Sequence, residues 1–255
     1  MFKVFIFLFV DAFSVTSKCS DGSLIIPENT TSIEDFEYYL CSFNGTLHIP
    51  NTVKTIGRYA FTSCTNFVGP LIIPDSVTSI GENAFQRCYK FESLTISKSL
   101  LTLGPNAFDS CTGFQGPLII PESLESIKYQ AFKGCSGFNG SLTIPKSISI
   151  IWNYAFSGCI GFNGQLIMSD SVTSIYDYAF KNCSNLKGDL IIPDSVTMIG
   201  DYAFSGCSGL NGSLIIGNSL AVIGGDAFNG CSYFTGNLTI GLNVTTIEYR
   251  AFINF

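Results

Sequence analysis

The ten cysteines of this chain stand at positions 19, 41, 64, 88, 111, 135, 159, 183, 207 and 231, with steps of 22, 23, 24, 23 and then five of 24 residues. That regularity governs what the chain can fold into. A period of roughly 20 to 50 residues marks a stack of similar units, a solenoid, instead of one core folded once. Aligned on the cysteines, the coils begin at Leu24, Leu47, Leu71, Leu94, Leu118, Leu142, Leu166, Leu190, Leu214 and Leu238, and the tenth is cut short at Phe255.

One coil shows the pattern. In Leu71–Phe91, Leu71 and Ile73 alternate at period two, which suits a short strand with Ile72 pointing outward. Val77 and Ile80 continue the inward set, and Gly81 permits a turn. Ala84, Phe85 and Cys88 fall at i, i+1 and i+4, a spacing that predicts one short helical turn. Asn139-Gly140, Asn163-Gly164 and Asn211-Gly212 close their coils, since Asn-Gly tolerates positive φ. No coil buries such a set alone, so neighbours must cover it. The phenylalanines at 61, 85, 108, 132, 156, 180, 204, 228 and 252 are the expected spine, with Glu37-Tyr38 replacing Ala-Phe in the first coil.

The pattern Leu-x-Ile-Pro-x-Ser-Val-x-x-Ile-Gly-x-x-Ala-Phe-x-x-Cys, as in Leu71–Cys88, resembles the BspA-type leucine-rich repeat family of bacterial and protozoan cell-surface proteins. The resemblance runs from about Leu24 to Phe252. It implies a leucine-rich-repeat solenoid of about 24 residues per coil, with Leu-x-Ile strands in a parallel sheet, and roles in adhesion to host or matrix proteins.

Composition narrows the function. Hydrophobic residues make up 46% and charged residues 13%, which excludes a disordered chain. Nineteen Asp and Glu against 13 Lys and Arg leave a net charge of −6 and no basic footprint for a nucleic acid. At the amino terminus Lys3 precedes an apolar run, Val4 to Val10, far shorter than the roughly 20 residues that span a bilayer. Residues 1–17 therefore read as a signal peptide cleaved near Ser14 or Ser17. Residues 18–255 read as a single ten-coil solenoid, secreted or at the cell surface, with no transmembrane anchor.

Chemistry is sparse. No Cys-x-x-Cys or Cys/His cluster suggests a metal. Side chains stacked in parallel are poorly spaced for disulfides, so the cysteine ladder is expected as buried free thiols, with Cys19, outside the regular coils, the exception. His48 stands alone at an outward strand position. Asp170 and Asp194, at one site in adjacent coils, have the approximate spacing of a retaining glycosidase pair, but acidic residues after proline at 28, 75 and 122 point to turn chemistry. No catalytic residue and no cofactor is expected. Asn-x-Ser/Thr tripeptides, among them those at 29, 44, 139, 211, 237 and 243, are potential glycan acceptors.

Two surfaces are candidates for binding a protein or glycan. The outward strand column holds Ile25, His48, Ile72, Thr95, Ile119, Thr143, Ile167, Ile191, Ile215 and Thr239, six of them isoleucine. The second is where the repeat breaks its own rule. At the step of Gly57, Gly81, Gly104, Gly200 and Gly224, three successive coils carry Lys128, Trp152 and Tyr176. Two residues further on, Tyr154, Tyr178 and Tyr202 line up, with Tyr129 close by, and Trp and Tyr are enriched in binding hot spots. The competing expectation is a coat or scaffold protein that self-associates through its uncapped last coil.

Overall fold

The computed structural model describes Cys19 and residues 21–255, which wind through about nine turns of a parallel β-solenoid. The expected signal peptide lies outside the described residues. Strands are numbered in chain order and alternate between two sheets. The first sheet, interrupted after β3, β7 and β11, holds β1 (Leu24–Ile25), β3 (Leu47–His48), β5 (Pro70–Ile72), β7 (Ser93–Thr95), β9 (Leu142–Ile144), β11 (Leu166–Met168), β13 (Leu190–Ile192), β15 (Leu214–Ile216) and β17 (Leu238–Thr239). The second holds β2 (Ser32–Ile33), β4 (Thr55–Ile56), β6 (Ser79–Ile80), β8 (Thr102–Leu103), β10 (Ile150–Ile151), β12 (Ser174–Ile175), β14 (Met198–Ile199), β16 (Val222–Ile223) and β18 (Thr246–Ile247). Pairing is parallel and in register, Leu71 beside Leu94 and Ile56 beside Ile80. The second sheet was not expected as strand, because two residues are too few to show an alternation.

The expected helical turns do not form: among the described residues there is no helix. From Gly81 to Cys88 the backbone instead makes successive turns whose N–H groups alternate between two destinations. Those of Ala84, Gln86 and Cys88 donate within the coil, to the carbonyls of Gly81, Asn83 and Phe85. Those of Asn83, Phe85 and Arg87 donate to Pro105, Ala107 and Asp109 of the next coil at 2.8–2.9 Å. A helix would take every N–H for itself. Sharing them welds the coils together and requires positive φ at Asn83 (54°) and Arg87 (60°), the third positions of turns like type II.

Glycine also serves a purpose the sequence reading did not assign. Gly81, Gly164 and Gly212 do not take positive φ; a Cβ at Gly81 would lie 2.7 Å from the Arg58 nitrogen of the preceding coil, and one at Gly164 would meet Ser141. They are glycine because coils approach closely there. Gly140 does take positive φ, at 77°.

The core is built of columns. Tyr38 heads the expected phenylalanine spine, its ring stacked 5.2 Å from Phe61, and successive rings follow to Phe252 at 5.1–5.6 Å. A second column, Phe43, Phe67, Phe91, Phe114, Phe138 and Phe162, runs beside it. Cysteines form a third. Each of the eight from Cys64 to Cys231 is buried and free, and its thiol donates to a carbonyl of the preceding coil, as Cys88 Sγ does to Phe61 O at 3.1 Å. Cys41 departs from the expectation of free thiols: it is bonded to Cys19, with Cα atoms 5.2 Å apart. Cys19 precedes the first strand and is not held to the parallel geometry that keeps the other thiols unbonded.

Two outcomes follow from these columns. Phe156 lies fully buried between Phe132 and Phe180, and its replacement by Ala should cost about 3–5 kcal/mol in urea unfolding. Burial also pushes the Cys64 thiol from its ordinary value near 9 up to about 12, and raises those of the other seven free cysteines. Above about pH 9 the unfolded chain releases these protons while the folded chain keeps them, so stability falls as pH rises, by up to ~1.4 kcal/mol per pH unit for each thiol. The urea midpoint should decline steeply above pH 9, and less steeply in Cys159→Ala.

Candidate functional site

The outward isoleucines emerge directly from the strand alternation. With Leu and the second Ile of each Leu-x-Ile strand turned inward, the residue between them faces solvent. Ile72, Ile119, Ile167, Ile191 and Ile215 are exposed, Ile119 at 70% and Ile191 at 51%. Pairing sets Ile191 beside Ile215, and Ile72 and Ile167 beside Thr95 and Thr143. A depression of about 310 Å³ lies at Ile167 and Ile191, bordered by Gln165 and Asp189. At the other end of the stripe, His48 Nε2 stands 3.7 Å from Glu28 Oε1, both on the surface.

The aromatic residues resolve into two short columns. Trp152 and Tyr176 stack at 5.0 Å with their planes 5° apart. Tyr154, Tyr178 and Tyr202 stack at 4.6 and 4.9 Å, nearly parallel. All five are half-buried. Tyr129 meets Tyr154 edge to face at 6.0 Å. Tyr154, Tyr178 and Tyr202 have φ of 59°, 60° and 56°, a region that bulky side chains seldom adopt. Asn83 and Asn106 fill the same step in two earlier coils, and Phe36 and Tyr59, stacked at 4.7 Å, in the first two, so the aromatic residues take a strained backbone that ring stacking offsets.

Stacking decides what these columns offer. The faces of Tyr154 and Tyr178 are taken by neighbouring rings and by this chain's own cations: Lys181 Nζ lies 5.0 and 5.1 Å from the Tyr178 and Tyr202 centroids, and Lys133 Nζ 5.5 Å from that of Tyr154. These lysines, not the exposed Lys128, are the ring partners. The sequence held the signal, since Lys181 lies one turn beyond Tyr178. Partial burial raises the Tyr154 and Tyr178 phenols above their ordinary value, and the neighbouring Asp226 carboxylate raises that of Tyr202.

The acidic residues after proline hold coils in place. Asp75 accepts the Lys98 N–H at 2.8 Å, and Asp194 Oδ1 accepts that of Asn218 at 2.7 Å. At one site both sheets are interrupted together. Leu118–Ile120 forms no strand, the second sheet stops at β8, and the next coil's only strand-type pairing there is an isolated bridge from Ile127 to Ile151. After the first coil, which has Glu34 there, this coil is the next to carry a side chain, Lys128, at the glycine step. Both aromatic columns lie on its C-terminal side.

No helix among the described residues is long and apolar enough to cross a membrane. Comparison with curated proteins finds no relative. Among solved structures, the chain is similar to a leucine-rich repeat protein from Bacteroides ovatus ATCC 8483, with 26% identity and a TM-score of 0.64 over 91% of this chain and 64% of that one. A leucine rich cell surface protein from Faecalibacterium prausnitzii A2-165 is 24% identical, with a TM-score of 0.54 over 89% of this chain and 79% of that one. The T. pallidum leucine-rich repeat protein is 21% identical, with a TM-score of 0.56 over 74% of this chain and 77% of that one. The family model for the BspA type leucine rich repeat region, six copies, matches residues 11–139 and 138–255. With stacked Leu-x-Ile strands and a repeat recognised along nearly its whole length, the chain belongs to the BspA-type leucine-rich repeat family.

Proposed function

We propose that this protein is a secreted or surface-displayed, non-enzymatic scaffold that binds another protein along the outer face of its first sheet. The observation that carries this reading is the line of exposed isoleucines, unbroken over Ile167, Ile191 and Ile215 in three successive coils. Contiguous exposed apolar surface of this kind costs solubility unless a partner covers it. Surface display is supported by the family and by the Faecalibacterium cell surface protein that shares the fold. The aromatic columns, with most of their ring faces already stacked, present edges and hydroxyls suited to the rim of a protein interface better than to a sugar ring.

Changing Ile167, Ile191 and Ile215 together to Thr should leave folding intact, because Thr fills the same position at 95, 143 and 239, and should weaken a partner by tenfold or more, roughly one hot spot's worth. Trp152, the only tryptophan, reports separately: an interface reaching the aromatic columns shifts its emission, and one confined to the isoleucines leaves it unchanged. The second reading is self-association of the array. Light scattering across a hundredfold concentration range separates the two. A constant monomer mass supports the scaffold, and mass growing with concentration supports assembly.

A further inference from the structure

Lys128, Trp152, Tyr176, Gly200, Gly224 and Glu248 occupy one step of six successive coils. Side chains fill this line as far as Tyr176, cease for two coils, and resume at Glu248. In the gap lies a groove of about 440 Å³, floored by Gly200 and Gly224 and lined by Met198, Val222, Asp177, Asp201 and Glu248. The chain cannot fill it from the floor. A Cβ at Gly200 would run into the Asp177 carboxylate, and one at Gly224 would lie 2.6 Å from the Gly200 backbone.

The charges of the groove are of one sign, with no lysine or arginine in its lining. Asp177 and Asp201 are fixed in place, since Asp177 Oδ1 accepts the Asp201 N–H at 3.0 Å and Asp201 Oδ1 that of Gly225 at 2.7 Å. The same step of the repeat shows elsewhere what such a carboxylate takes. Asp35, the first residue of this aspartate column, accepts the next coil's N–H in the same way, from Arg58, and its other oxygen holds the Arg58 guanidinium, Nη2 at 2.9 Å and Nε at 3.0 Å. That hydrogen bonding, led by the backbone N–H, keeps the Asp35 carboxyl below its ordinary value. At Asp177 and Asp201 the following residues of the column are Asp201 and Gly225, so the chain supplies no guanidinium, and the second oxygen of Asp177 meets only the Asn153 amide, at 3.4 Å.

We propose that this groove on the second sheet is a binding site for an arginine side chain of a partner protein. The guanidinium takes the place that Arg58 fills beside Asp35, against Asp177, Asp201 and Glu248, and its methylene stem lies along the exposed Met198 and Val222. Tyr176, the last ring of its column, stands one coil before the glycine floor. The site lies on a different sheet from the isoleucine stripe and stands whether or not that stripe binds.

The test is the fluorescence anisotropy of a fluorescein-labelled hexa-arginine peptide titrated with the full chain at low salt. Three proteins are compared: the wild type, Asp201→Asn with Glu248→Gln, and a control carrying Glu92→Gln with Glu125→Gln, which removes the same charge elsewhere on the surface. Asn at 201 keeps the oxygen that Gly225 requires. The groove variant should lose roughly tenfold or more in affinity while the control stays within about twofold of wild type, and hexa-lysine should bind more weakly than hexa-arginine. No binding by the wild type, or equal loss in both variants, overturns the proposal. Should the double variant lose its circular dichroism, Glu248→Gln alone, at an exposed side chain, carries the same comparison.

Discussion

The structure rests on parallel, in-register contact between each coil and its own copy. Every inward position meets the same position about 5 Å away, so the sequence must choose residues that tolerate themselves as neighbours. Phenylalanine does so by ring stacking, cysteine by donating a hydrogen bond to a carbonyl one coil back, and isoleucine by packing in strand register. Charge does not, because like charges held directly opposite repel. The low charge content of the chain is a consequence of stacking. Where acids do stack, as at Asp177 and Asp201, each is occupied by the N–H of the coil that follows.

This geometry separates what is fixed from what is free. Inward columns and the turn run leave little latitude, since each N–H there is committed to its own coil or to the next. The outward residue of each strand is constrained only by strand preference. Six isoleucines over ten coils, and a change from glycine to Lys128, Trp152 and Tyr176 in three successive coils, are departures the stacking does not demand. They lie on different sides of the array, so one protein presents two distinct surfaces.

Much of this was legible in the residues. The period gave the solenoid, the Leu-x-Ile alternation gave the first sheet and its outward column, and the Phe and Cys columns lie where their spacing put them. The aromatic residues do stack as the alignment implied. What failed did so for physical reasons. The i, i+1, i+4 spacing of Ala84, Phe85 and Cys88 also arises from a chain of turns, and the alternation of N–H partners that separates turns from a helix leaves no mark in composition. The two-residue second strand is too short to show a period. The Cys19–Cys41 bond depends on where the chain runs before the first strand, which no repeat encodes. The Asp177–Asp201 groove was invisible because it consists of missing side chains.

The irregular coil at Leu118 has a consequence for how the molecule holds together. In a linear array, stability is a sum of units and of couplings between neighbours, and cooperativity extends only as far as the weakest coupling. The first sheet lapses alone after β3 and β11, but here both sheets lapse together while the turn run and the phenylalanine columns continue across, through Phe108 N–H to Ala131 O and Phe108 stacked on Phe132. The chain is one continuous solenoid whose strand pairing is thinnest between an N-terminal block stapled by a disulfide and a C-terminal block that carries the columns of Trp152 and Tyr154. Thermal fluctuations that part the blocks would bend the array at this seam, changing the angle between its two halves without unfolding either.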